Sequence, residues 1–127
     1  MNHWLAIGAG GAVGAILRYA ITKADLVQDM GSAYFPSGTL IVNVFGSFLL
    51  GLLIIVLSQK FAAPDWVRLF LFVGVLGSFT TFSTFSVETI ELFELGKHSI
   101  ALWNMLLNLF GSLLAAAAGL YLGKLVI

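Results

Sequence analysis

Residues 77–86 read GSFTTFSTFS, six hydroxyl side chains and three phenylalanines spaced three apart. The run lies inside Trp66 to Phe93, a mostly apolar segment whose 28 residues exceed what one straight crossing of a bilayer requires. Glycine and the hydroxyl residues weaken helix interiors, the hydroxyls by competing for backbone hydrogen bonds. The pattern therefore predicts a helix that breaks near Gly77-Ser78-Phe79-Thr80, leaving two half-helices that meet close to mid-membrane. Such a break is tolerable in lipid only where protein, water or an ion takes up the freed carbonyls and amides. Past the break, helical spacing places Phe79, Phe82 and Phe85 on one arc with Ser86 among them, and Thr80, Ser83 and Thr84 on another. A ring is positive at its edge, so such an arc can favour an anion without the full charge that would trap it.

The rest of the chain says that the surroundings are lipid. It has 127 residues, 60% hydrophobic and 9% charged, with zero formal net charge and a mean hydropathy of +1.04. A soluble domain of that length needs more polar residues to cover its surface. Six unclustered Lys and Arg residues give nucleic acid no footprint, and the lack of cysteine removes disulfides, thiolate metal sites and cysteine nucleophiles. The opening MNHWLAIGAGG has no basic leader region and reads as the start of a retained helix. Four apolar runs follow, at residues 4–22, 38–58, 66–93 and 99–123, forming one four-span membrane domain over 1–127 with no evident repeat. They are too long and continuous for barrel strands.

Orientation normally follows the Lys and Arg of short loops. Four spans place Lys60, Arg68 and Lys124 on one side and Arg18, Lys23 and Lys97 on the other, three against three. Two readings stay open: insertion both ways up, or a weak three-to-two bias if Arg18 lies too deep to count. Four packed helices fill their own centre with side chains, so transport by this chain requires an oligomer or a groove between subunits.

Within the spans, small residues recur at Gly10 and Gly14, and again at Gly111, Ala115, Gly119 and Gly123, which predicts close helix contacts within or between subunits. Thr39, Asn43, Ser47 and Gly51 share one face of the second span, and Asn104, Asn108 and Ser112 one face of the fourth. Each face can serve helix–helix hydrogen bonding or a hydrated path. Arg18 is placed either to snorkel or to line a vestibule. Glu91 and Glu94 mark the solvated end of the third span, with Glu88 one turn deeper. His3 and His98 sit at span ends, and Trp4, Trp66 and Trp103 suit the interfacial belts.

Taken together, Gly77-Ser-Phe-Thr-Thr-Phe-Ser-Thr-Phe-Ser86-Val-Glu88, Gly38-Thr-Leu-Ile-Val-Asn43, Gly14-Ala-Ile-Leu-Arg18 and Gly111-Ser112 resemble the CrcB/Fluc fluoride channels over the whole chain. The resemblance implies an all-α membrane protein: four transmembrane helices, the third broken, in an antiparallel dual-topology homodimer in the cell membrane. Its function would be passive export of fluoride, with a structural sodium ion at the dimer centre held by the backbone carbonyls of Gly77 and Thr80 from each subunit. The fluoride pathway would use Phe82 and Phe85 as pore aromatics, Asn43 as the anion-contacting amide, and Ser83, Thr84 and Ser112 as a polar track, with Arg18 in a vestibule. Asn104 stands where some relatives carry tyrosine. Three other classes compete on residues alone. A small proton-coupled multidrug exporter needs a carboxylate in the first span, and residues 4–22 contain none. A non-transporting assembly subunit leaves the hydroxyl run unexplained. An intramembrane hydrolase lacks a mid-span His or Asp to activate a serine. No enzyme activity is expected.

Overall fold

The computed structural model describes residues 2–27 and 34–127, apart from the side chains of residues 24, 26 and 27. Among them there is no strand, and four helical spans are long and apolar enough to cross a membrane. Helix α1 is His3–Val27, α2 is Ser37–Lys60, and α5 is His98–Leu125. The third span, Asp65–Glu94, is two helices: α3 over residues 65–79 and α4 over Phe82–Glu94.

The break lies at Thr80 and Thr81, whose φ/ψ of −84/155° and −151/121° are extended. Gly77 and Ser78 remain helical, so the interruption falls at the C-terminal edge of the expected stretch. The physical reason is hydrogen bonding. Gly77 keeps φ −64°, and its missing side chain costs a helix only about 1 kcal/mol, whereas Thr81 has a partner elsewhere for its backbone.

The interruption lets one span change neighbours. Before it, α3 packs along α1; after it, α4 packs on the first half of α5, while the second half of α5 lies along α2. Because lipid tails are as apolar as the side chains, contact between these helices comes from close backbone approach. A Cβ on Gly10 would sit 3.0 Å from Gly74 Cα and still closer to the Phe70 carbonyl, and one on Gly14 would strike Val75. On the other pair, a Cβ on Gly119 would meet Phe48 and one on Gly123 would lie 2.8 Å from Ile55 Cβ. Both small-residue stripes are thus used inside one chain. Gly8, by contrast, has nothing within 4 Å of that position.

Three helical stretches are π-helical: Val56–Lys60, Leu69–Leu76 and Leu107–Gly111. The second carries the Gly74 contact and the third carries Asn108, which fits the tendency of such stretches to appear where a helix serves a packing or functional need. The α4–α5 turn closes with Lys97 N–H donating to Leu92 O (2.9 Å) and Gly96 N–H to Phe93 O (3.0 Å). Gly96 has φ +75°, which a residue with a Cβ adopts only at a cost.

The interior is small, with Val42, Phe79 and Leu92 buried alongside Thr39, Asn104 and Asn108, while most of the large apolar side chains face outward. Trp4, Trp66 and Trp103 are all exposed, as interfacial anchors require. The N-terminal residue flanking α2 is Pro36, which caps nothing with its side chain. Asp25, buried at the end of α1, accepts from the Gly38 N–H at 2.9 Å and does that work from a distance. Burial lifts the Asp25 carboxyl above the usual carboxylate range, against the pull of the Gly38 and Thr39 amides.

The glycine contacts give a test. Gly10→Val should destabilise the folded protein in detergent by about 1–3 kcal/mol or more, as overpacking does, while Gly8→Ala should leave its thermal transition in place. Equal melting of the two variants would contradict the packing described.

Candidate functional site

Asn43 projects from α2 into the break. Its Oδ1 accepts the Thr81 N–H at 2.8 Å, and its Nδ2 donates to the Thr81 carbonyl at 3.0 Å. One side chain therefore replaces both hydrogen bonds that a neighbouring strand would offer an extended residue. The Thr81 N–H would reach the Gly77 carbonyl in a continuous helix; here Asn43 takes it, and Gly77 O loses that donor. Thr81 in turn caps α4, its Oγ1 accepting from the Thr84 N–H at 3.2 Å.

The remaining N–H of Asn43 donates to Asn108 Oδ1 at 2.9 Å. Asn108 spends its own amide hydrogens on the carbonyl and the Oδ1 of Asn104, both at 2.9 Å. Asn104 donates to Thr89 Oγ1 at 2.9 Å, and Thr89 closes the chain on the Phe85 carbonyl at 2.7 Å. Asn104 and Thr89 are buried, where each unmade bond would cost about 1–3 kcal/mol. Thr39, one turn before Asn43, donates to Glu88 Oε1 at 2.8 Å; the other Glu88 oxygen is buried without a partner among the described residues. The upper part of the α2 face, and the Asn104–Asn108 part of the α5 face, are thus committed to helix–helix bonds.

Lower on those faces a cavity of about 500 Å³ opens on the flank of the bundle. α2 contributes Asn43 and Ser47, and the break contributes Thr80 and Thr81. α4 adds Phe82 and Phe85, and α5 adds Asn108 and Ser112 among Met105 and Leu109. Phe82 and Phe85 stand edge to face, with centroids 5.4 Å apart at 64°, and Phe82 is 78% exposed. Ser112 Oγ is buried and has no partner among the described residues.

Of the residues singled out from sequence, the cavity gathers Asn43, Phe82, Phe85, Ser112 and Thr80. Ser83 and Thr84 lie to one side, their hydroxyls 3.3 and 3.2 Å from Thr81 Oγ1. Arg18 is half-buried on α1 and does not line the cavity. Phe79 leaves the expected aromatic arc. The extended Thr80–Thr81 step rotates it away, and it packs edge-on against Phe45 at 6.4 Å. Ser86 stays on its own helix, donating to the Phe82 carbonyl at 2.9 Å. Thr81 is the functional residue that spacing did not single out. A threonine just before an apolar-periodic segment is a fair N-cap signal, but Ser78, Thr80 and Ser83 offer nearly the same one.

A broken span beside a mostly apolar cleft into which a few amide and hydroxyl groups open, in a bundle whose outside is apolar, defines a multi-pass membrane protein. The family model described as "CrcB-like protein, Camphor Resistance (CrcB)" matches residues 5–120, and the chain belongs to that family. It is 44% identical over 124 residues to the fluoride-specific ion channel FluC of Legionella pneumophila (strain Lens), covering 98% of this chain and 91% of that protein. It is 43% identical over 127 residues to FluC of Chelativorans sp. (strain BNC1), over the full length of both. With FluC of Magnetococcus marinus it shares 46% over 123 residues, 97% of each chain. These relatives are named as channels, not enzymes, and the chain is accordingly a non-enzymatic protein of the cell membrane.

The clamp predicts two graded losses. Asn43→Ala should orphan the Thr81 N–H, at a cost of about 1–3 kcal/mol, and strip one donor from its carbonyl. Thr81→Ala, which removes the cap and the hydroxyl contacts to Ser83 and Thr84 but leaves the clamp in place, should cost about 1 kcal/mol. Thermal unfolding in detergent orders them, and a Thr81→Ala loss as large as that of Asn43→Ala would refute the clamp.

Proposed function

We propose that this protein is a fluoride-selective channel that lowers cytoplasmic fluoride by passive export, working as an antiparallel homodimer inserted both ways up. The observation that carries the reading is the cleft itself: a few amide and hydroxyl groups and two phenylalanines gather on one open flank, within a lining that is mostly apolar. The Ser112 hydroxyl is buried there without a partner among the described residues, which is costly in lipid, and a second copy laid over the flank would turn the cleft into an enclosed path. Fluoride would shed water stepwise against the Ser112 hydroxyl, the Asn43 amide and the positive edges of Phe82 and Phe85. A path that tight excludes the larger chloride ion. Ser83 and Thr84 would extend the polar track from α4, and Arg18 would draw anions toward its mouth.

The sodium assignment finds support in the backbone. Gly77 O is released from its intrahelical amide by Asn43, and Gly77 is exposed on the single chain. Among the described residues no cluster of His, Cys, Asp or Glu could hold a metal, and carbonyl oxygens suit a hard cation. Gly77 and Thr80 of both subunits would supply them, and the ion would tie the two breaks together. Insertion both ways up is supported by the balance of three cations on each side, one of which, Arg68, is paired with Asp65. A proton-coupled exporter is disfavoured because α1 has no acidic residue among 4–22.

Two measurements test this. Proteoliposomes in sodium buffer should release fluoride well above empty vesicles and chloride no faster than them; Phe82→Ile and Phe85→Ile should each lower fluoride flux by about twofold to tenfold, the range of a lost aromatic interaction, with the dimer intact. Fluoride release at the empty-vesicle level would sink the channel reading. A C-terminal tag should be found on both faces of the membrane, and labelling on one face only would refute dual insertion.

A further inference from the structure

The hydrogen-bond directions around Asn43 are fixed, and they point to a role for Asn108. An asparagine amide can be drawn either way round unless a neighbour is only a donor or only an acceptor. Asn43 Oδ1 faces the Thr81 N–H, which can only donate. Asn108 Nδ2 faces the Asn104 carbonyl, which can only accept. Both side chains are therefore locked, with Asn108 Oδ1 turned to the second N–H of Asn43. Every N–H of Asn43 is spent inside the protein, one on Thr81 and one on Asn108. Yet Asn43 and Asn108 both line the cleft, and so does Ser112, one helical turn beyond Asn108, whose hydroxyl has no partner among the described residues.

We propose that Asn108 is an exchangeable stand-in for the anion. Its carbonyl oxygen occupies the second N–H of Asn43 when no anion is present and yields it when a fluoride ion arrives. The inference rests on the channel reading above. Of the two bonds Asn43 donates, only the one to Asn108 can be released without undoing the clamp on Thr81, because the other belongs to the donor–acceptor pair that holds the extended step. The exchange leaves one acceptor, Asn108 Oδ1, beside water or a neighbouring hydroxyl, and gives the ion one N–H with the Ser112 O–H nearby. A site that must trade one hydrogen bond for another binds weakly. Weak binding keeps the ion moving, because a conducting site must also release.

The consequence is specific. Asn108→Leu, similar in size and without an acceptor, frees the Asn43 N–H. The half-saturating fluoride concentration for efflux should then fall by roughly twofold to tenfold, the effect of one net amide hydrogen bond, and the maximal rate should fall with it as release slows. A purely structural role for Asn108 would instead lower the maximal rate and leave half-saturation unchanged or raised, and that result overturns the proposal. Since loss of the Asn104 contacts could unfold the variant, a second measurement uses the wild-type protein. The chain has four asparagines, so selective side-chain 15N labelling yields few signals. On titration with sodium fluoride, one of the two Asn43 side-chain protons should move, together with the Asn108 side-chain 13C carbonyl, and sodium chloride should move neither. Wild-type protein that conducts fluoride without those shifts overturns the exchange alone; wild-type protein that conducts none overturns the channel reading.

Discussion

The clamp of Asn43 on Thr81 is the interaction on which the other features depend. In lipid, an extended pair of residues inside a helix is ruled out unless its backbone groups find partners. Asn43 supplies a donor and an acceptor at the spacing of a peptide group, and so makes one residue of sheet-like backbone stable without a sheet. Everything downstream uses that extended step. It ends α3, positions Thr81 to cap α4, turns Phe79 away from Phe82 and Phe85, and frees the Gly77 carbonyl.

The same step explains how a short chain reconciles tight packing with a polar cleft. A continuous third span would have to follow one neighbour along its whole length. Broken, it holds α1 through the glycine contacts of its first half and the start of α5 through its second. The space left between α2, the break and the middle of α5 becomes the cleft. Small residues close two seams, and polar residues border the third.

Much of this was legible beforehand, and the residues show why. The four spans follow from length and hydropathy alone, and a break near the GSFTTFSTFS run follows from what lipid permits. The glycine stripes declared close approach, but spacing could not say whether the approach lay within a chain or between chains; Gly10 against Gly74 and Gly119 against Phe48 place it within. The exact break escaped because Gly77 is the weaker helix former, while the deciding group, Asn43, lies 38 residues away from Thr81 in sequence. By spacing, the Asn104–Asn108 face suits either a hydrated path or helix–helix hydrogen bonding. The difference is made by Thr89 and Asn43, on two other helices, which no local pattern reveals. Phe79 was misplaced for a related reason: a helical projection assumes that the helix continues.

The bond between Asn43 and Asn108 joins residues 65 apart in the chain. A ribosome adding about 5–20 residues each second needs roughly 3–13 s to cover that distance. For that interval α2 exists with its amide face exposed and its partner not yet made. Thr81, only 38 residues along, is made sooner and takes one amide hydrogen and the carbonyl oxygen of Asn43, so the third span relieves most of that demand before the last one completes it. The polar contacts around the finished cleft thus become available in the order of synthesis, the clamp on Thr81 first and the bond to Asn108 last.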